Sequence, residues 1–271
     1  MTEQFSLKGK VIIVTGGTGI LGNAFINAIV EAGGAVGILG RNKKVAGERA
    51  EVINKNGGNA LALIADVTNE EQVTVAKEKA LKHFGKIDGL VNGAGGNMPE
   101  GVLQPGADIF SMSIPGMKKV MDLNLWGTVI PTHIFGDALV KNGRGSIVNI
   151  SSMTAQRATT RVMGYSMGKA AVDCYTEWYA VELAKRFGDA IRVNSIAPGW
   201  FLTEQNRNLL TNADGSYTER GQSVIRQTPF NRFGQPEELQ GALIWLLSDA
   251  SKFVTGTTIN VDGGFAIFSG V

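Results

Sequence analysis

The chain reads as an α/β protein: a doubly wound, parallel, seven-stranded sheet with helices on both faces, forming a single domain over residues 1–271. Three observations predict this. Short apolar runs alternate with segments of helical period, and strands separated by helices imply right-handed crossovers and a parallel sheet covered on both sides. The first apolar run ends in a glycine turn that opens a helix, as a Rossmann sheet requires. No repeat, low-complexity tract or linker divides the chain, and 44% hydrophobic residues suffice for one large core.

Strands are expected near 11–15, 35–39, 60–65, 87–91, 145–151, 190–196 and 257–261, with helices near 19–32, 43–56, 69–84, 117–142, 164–187 and 236–247. The first strand, VIIVT, leads into Gly16, Gly17, Thr18, Gly19, Ile20, Leu21 and Gly22. Glycines there allow a tight turn and close backbone approach, while the helix N-terminus faces a pyrophosphate. The second strand ends at Gly40, followed by Arg41 and Asn42. An acidic residue at that point would accept hydrogen bonds from a ribose 2′-hydroxyl, whereas an arginine can pair with a 2′-phosphate. Arg41 therefore favours NADP(H), with NAD(H) as the alternative. Asp66 and Val67 close the third strand, and Asn92, Gly93, Ala94 and Gly95 close the fourth. The stretch from Asn97 to Pro115 is longer than an ordinary connection and is expected to rim a site.

The fifth strand ends in Ser151 and Ser152, and Tyr165 and Lys169 follow four residues apart at the start of a long helix. Residues at that spacing share a helix face, so the phenol and the ammonium point the same way. With a hydroxyl beside them they can bind and protonate a carbonyl oxygen. Ser152, then Tyr-x-x-x-Lys thirteen residues on, after an N-terminal TGxxxGxG-type turn, resembles the short-chain dehydrogenase/reductase family from Gly9 to Gly264. Two departures stand out. Ile20 occupies the middle glycine position, which brings the spacing nearer that of the family's extended members, and Gly93 replaces the second Asn of Asn-Asn-Ala-Gly.

The resemblance implies further roles. Asn124, in DLNLWGT, would complete a catalytic tetrad with Ser152, Tyr165 and Lys169, holding a water that links Lys169 to solvent. Gly16, Thr18, Gly19, Ile20, Leu21, Gly22, Arg41, Asn42, Asp66, Val67, Asn92, Ala94, Gly95, Tyr165, Lys169, Pro198, Gly199 and Thr203 would line the cofactor. Tyr165 would act as general acid in reduction and general base in oxidation, its pKa lowered by Lys169 and the oxidised nicotinamide.

Residues 200–230 are expected to form a polar, irregular substrate lid containing Gln205, Asn206, Arg207, Tyr217 and Arg220. Its polarity suits a hydroxylated, charged substrate better than an acyl chain. NGAGGN, NISSM, APGWFLTEQNR and LLTNADGSYTERG resemble family members that interconvert a keto-hexuronate and an aldonate. Arg157, Arg161 and Arg207 are the candidate carboxylate partners, since a guanidinium binds a carboxylate with two parallel bonds. The alternatives are a gluconate 5-dehydrogenase-like enzyme, a 3-oxoacyl-thioester reductase, and a non-catalytic dinucleotide-sensing protein.

A net charge of +2 implies neither nucleic acid nor an anionic membrane as partner. His83 and His133 lack a ligand pattern, so no metal is expected. Val11 to Val14 is too short for a signal sequence, and no stretch is long enough to span a membrane. Cys174, the only cysteine, is expected to pack along the helix that carries Tyr165. A soluble cytoplasmic protein is the expectation. The apolar tail from Phe265 to Val271 is expected at a subunit interface, and the two longest helices would pair across a dimer axis in this family, giving a homotetramer.

Overall fold

The computed structural model describes residues 3–203 and 206–270; Gln205 of the expected lid and Val271 of the tail lie outside them. In chain order the elements are β1 (Val11–Thr15), α1 (Ile20–Glu31), β2 (Ala35–Gly40), α2 (Lys43–Lys55), β3 (Ala60–Ile64), α3 (Glu70–Phe84) and β4 (Gly89–Asn92). Next come α4 (Ile114–Met121), α5 (Gly127–Lys141), β5 (Gly145–Ile150), α6 (Met163–Phe187) and β6 (Ile191–Pro198). Two short helices, α7 (Arg207–Leu210) and α8 (Glu219–Gln227), precede α9 (Gln240–Leu247) and β7 (Thr258–Val261).

The seven strands form one sheet in the order β3-β2-β1-β4-β5-β6-β7, and every pairing is parallel. Why β1 is apolar throughout follows from its position. Successive side chains alternate faces, so Ile12 and Val14 join one layer with Phe25, Ile29 and Leu243, while Ile13 joins the other with Val73, Phe135 and Leu183. Phe25 and Phe135 are the largest of the fully enclosed side chains in these two layers. Burying each contributes about 2–3 kcal/mol relative to leaving it exposed.

The chain reverses its winding between β1 and β4, and a doubly wound sheet binds its ligand at the carboxyl ends of strands at such a switch point. Here the Thr15 hydroxyl accepts hydrogen bonds from the backbone N–H of Gly93 (3.1 Å) and Ala94 (3.2 Å), tying the two strand ends together. Thr15, Asn92 and Ile150 thus end on one rim of the sheet, with the glycine turn and the Ser151–Ser152 pair directly after them.

Three regions differ from expectation. The helix expected over 117–142 starts at Ile114, capped by the Ser113 hydroxyl, which accepts from Gly116 N at 3.1 Å. It also contains a five-residue π-helical turn, Asp122–Trp126, between α4 and α5. Residues 200–230 are only partly irregular. α7 and α8 close a small apolar cluster of Leu210, Val224 and Phe233, packed with Trp200, Leu202 and Ile225. The Thr218 hydroxyl caps α8 by accepting from Gly221 N at 3.1 Å, with Glu219 in the first turn and Arg226 in the last. Cys174 lies exposed on α6 rather than packed along it.

Candidate active site

Ser152, Met153, Tyr165 and Lys169 line a cleft of about 680 Å³ together with Leu21, Gly93, Gly95, Gly96, Pro198, Gly199 and Thr203. The volume lies within the range of small-molecule and cofactor sites. Ser152 follows the end of β5, and Tyr165 and Lys169 stand in the first two turns of α6, so a strand end and a helix start bring the three together. Ser152 is buried, and its hydroxyl lies close enough to the Tyr165 phenol to act on its acidity. Lys169 is buried as well; its Nζ donates to the Ile150 carbonyl at 2.7 Å and lies 5.6 Å from the centroid of the Tyr165 ring.

Burial dominates the electrostatics. It pushes the Tyr165 phenol above its ordinary value, with the Ser152 hydroxyl pulling the other way. The protein groups alone therefore do not give the lowered phenol expected from the sequence. Lys169 is lowered to about 8: burial pulls it down, and the carboxylate of Asp173, one turn later on α6, offsets part of that fall. Asp173 is itself raised by burial, opposed by hydrogen bonds from Ser151, Ser195 and Thr258 and by the charge on Lys169. The Ser195 and Thr258 hydroxyls each lie 3.4 Å from Asp173 Oδ1.

A pH prediction follows. Asp173→Asn removes the charge that holds the proton on Lys169, so the ammonium titrates below about 8. The alkaline limb of kcat/KM against pH is expected to move to lower pH, and a limb that stays in place would separate Asp173 from the reaction.

Asn124 is fully buried in the π-helical turn, a feature that recurs at functional sites. Its Oδ1 accepts from Gly96 N at 3.0 Å, and its Nδ2 donates to Gly96 O (2.8 Å) and Val120 O (2.7 Å). Both amide protons are thus committed, which closes the side-chain donor route to a held water. The Asn124 side chain clamps the loop after β4 against the floor of the cleft.

The glycine turn meets the requirements of a phosphate cradle. Gly16 has a φ of +67°, and a Cβ there would lie 2.6 Å from Gly93 O, so the backbones of the two strand ends are in contact. A Cβ on Gly22 would lie 2.2 Å from Gly16 O. No side chain caps the N-terminus of α1, which leaves the N–H groups around Ile20 and Leu21 for an anion. The residues present fit a dinucleotide.

Other expected cofactor residues have partners within the protein. Arg41 Nη1 pairs with Asp66 at 3.6 Å, and Asp66 also accepts from Thr68 N at 2.9 Å. Asn42 caps α2 through Val45 N at 3.1 Å. The Val67 side chain packs in the core. Asn92 is buried and its Nδ2 donates to Thr132 and Asn149, both at 2.8 Å, which places its side chain in a polar network within the sheet rather than in the cleft.

The three candidate carboxylate partners do not line the cleft. Arg157 is exposed and its Nε donates to the Ala266 carbonyl, pinning the C-terminal tail. Arg161 Nε donates to the Leu103 carbonyl at 2.6 Å, stapling the 97–115 loop. Arg207 is exposed at the start of α7, while its neighbours Asn206 and Asn208 face the cleft. The arginine that does line it is Arg220, beside Trp200. Arg49 was likewise not foreseen: from α2 it donates to the carbonyls of Gly17 and Gly19, bracing the glycine turn. Among the described residues no group of His, Cys, Asp and Glu could hold a metal, and no helix is long and apolar enough to cross a membrane.

A rim that fits a dinucleotide, joined to a Ser-Tyr-Lys cluster, defines a nicotinamide-dependent oxidoreductase. Comparison with known proteins agrees. A family model described as enoyl-(acyl carrier protein) reductase matches residues 18–266. The chain is 40% identical to an uncharacterized oxidoreductase, UxuB, of Bacillus subtilis (strain 168), over 98% of both chains. Among solved structures it is similar to a provisionally assigned D-mannonate oxidoreductase from Haemophilus influenza with bound NAD, at 37% identity, a TM-score of 0.89 and 98% coverage of each chain. It is also similar to a gluconate 5-dehydrogenase from Burkholderia cenocepacia J2315 in complex with NADP and tartrate, at 33% identity, a TM-score of 0.85 and 97% coverage of each. The chain belongs to the short-chain dehydrogenase/reductase family of NAD(P)-dependent oxidoreductases.

Proposed function

We propose that this enzyme interconverts a keto sugar acid and its hydroxy acid, with D-fructuronate and D-mannonate as the leading pair. The observation that carries the reading is the convergence of Ser152, Tyr165 and the buried ammonium of Lys169 on one cleft, which is also lined by Asn97, Gln104, Thr154, Asn206 and Asn208. Such a lining suits hydroxyl groups better than an acyl chain. The names of the D-mannonate and gluconate relatives support it. When bound, the nicotinamide carries the hydride to or from the carbonyl carbon. Tyr165 gives its proton to the carbonyl oxygen in reduction and takes it back in oxidation, while Ser152 donates a hydrogen bond to the same oxygen. The Lys169 ammonium supports the phenolate that remains after transfer and binds the nicotinamide ribose. α7 and α8 act as the lid.

NADP(H) is the favoured cofactor. A Cβ on Gly40 would lie 2.8 Å from the Thr18 hydroxyl, so an acidic residue that would select a free ribose would have to displace the Thr18 side chain. Arg41 is the adjacent cation. Arg41→Ala is expected to raise KM for NADPH about tenfold while shifting that for NADH far less. Equal shifts would remove the arginine from the 2′-phosphate.

A cytoplasmic homotetramer is part of the same reading. Trp126 (50% exposed), Trp178 (59%) and Val181 (54%) present apolar surface on the π-turn and on α6, and a second copy would cover it. Sedimentation at micromolar concentration separates a tetramer from a monomer. The substrate assignment is tested by a panel of D-fructuronate, 5-keto-D-gluconate and a 3-oxoacyl thioester with NADPH and NADH. Turnover of the sugar acids supports the proposal, and turnover of the thioester alone overturns it.

A further inference from the structure

Arg220 and Trp200 leave buried donors unused at the wall of the cleft. The Arg220 guanidinium spends two N–H groups on Thr160, at 3.2 Å to the hydroxyl and 3.3 Å to the carbonyl. Its Nε is buried without a partner, and so is Trp200 Nε1. The guanidinium carbon lies 5.9 Å from the Trp200 ring, which is braced edge-on by Phe265 at 6.2 Å. Stacking on the indole fixes the plane of the fork before any ligand arrives. No carboxylate pairs with Arg220 among the described residues, and Arg220 and Lys169 are the only charged side chains in the described lining.

A partly desolvated cation with idle donors is costly unless an anion completes it. Arg161 adds like charge beside it, since its proximity, after burial, pushes the Arg220 guanidinium downward. Both cations call for a negative ligand group, and Arg161 is already committed to Leu103. We propose that Arg220 and Trp200 form a carboxylate receptor that makes this cleft select acidic over neutral carbonyl substrates. The inference rests on the cleft being the carbonyl site described above. The receptor takes the carboxylate on the guanidinium N–H groups that Thr160 leaves free, and a small rotation of the two side chains brings the enclosed Arg220 Nε and indole N–H to its oxygens.

The test compares D-fructuronate with D-fructose, which carries a hydroxymethyl group where the acid carries its carboxylate. In Arg220→Gln the ratio of kcat/KM for acid over neutral substrate is expected to fall about 100-fold, chiefly through KM for the acid. Arg220→Lys, which keeps charge without the fork, should fall between, and Trp200→Phe should lose about tenfold while keeping a stacking ring. An unchanged ratio in Arg220→Gln overturns the receptor, whatever happens to overall rate. A second measurement stands apart from turnover: calorimetric titration of D-gluconate into the protein loaded with NADPH. Binding by the wild type that weakens at least tenfold in Arg220→Gln supports the receptor even if the panel shows that no sugar acid is reduced, which would overturn only the substrate assignment. Equal binding by both proteins, or none by the wild type, overturns the receptor.

Discussion

Tyr165→Phe is expected to lower kcat/KM for carbonyl reduction by about 10³-fold, within the range that a positioned acid contributes. The substitution removes one oxygen and keeps the ring, so the packing against Lys169 survives and cofactor affinity should stay within about threefold. The loss should appear in kcat, because the phenol acts on the oxygen as charge develops on it. Ser152 remains to hold the substrate oxygen, and buried Lys169 remains as the charge beneath it. A non-catalytic dinucleotide sensor would lose nothing measurable in this variant. Steady-state kinetics together with a fluorescence titration of NADPH decide between the two.

Gly22→Ala is the second large effect. An added methyl would sit 2.2 Å from Gly16 O and 2.9 Å from Gly17 Cα, both main-chain atoms that cannot swing aside as a side chain would. Gly16 cannot retreat, because its own Cα already lies against Gly93 and Ala94. The first turn of α1 must therefore separate from the glycine turn, and the N–H groups that face the phosphates move with it. Overpacking of this kind costs about 1–3 kcal/mol, or a fall in Tm of roughly 2–10 °C for a chain of this size. NADPH binding is expected to weaken by about tenfold or more. Thermal melts without cofactor report the first effect and fluorescence titration the second; a variant with native affinity would show that the turn does not hold the pyrophosphate.

What was legible in the sequence follows from the range of the interaction. The order and type of the seven strands could be read because alternation and glycine punctuation are local signals, and boundaries shifted by only a residue or two. Ser152, Tyr165 and Lys169 were legible for the same reason: a strand end and one helical turn fix all three. α7 and α8 were missed because short polar helices carry little periodicity, although Thr218 ahead of Glu219 was an available start signal for α8. The π-helical turn at Asn124 has no pattern of its own and depends on bonds to Gly96, 28 residues away.

The substrate arginines show the limit most plainly. Arg157 and Arg161 are candidates by the chemistry of the guanidinium alone, but their partners lie 109 and 58 residues away. Those distant carbonyls turn them from the cleft into staples. Arg220 looked like one more charge in a solvated loop. Its interest comes from burial, from the indole beneath it and from the carboxylate it lacks, and none of these is a property of neighbouring letters.

The account depends on one reacting oxygen being held by both Ser152 and Tyr165. A crystal structure of the wild type with NADP and D-mannonate tests this directly. The expected result places the hydroxyl that is oxidised within about 2.6–3.2 Å of Ser152 Oγ and Tyr165 Oη at once, with the carboxylate on Arg220. A sugar acid bound with its hydroxyl away from both side chains would contradict it.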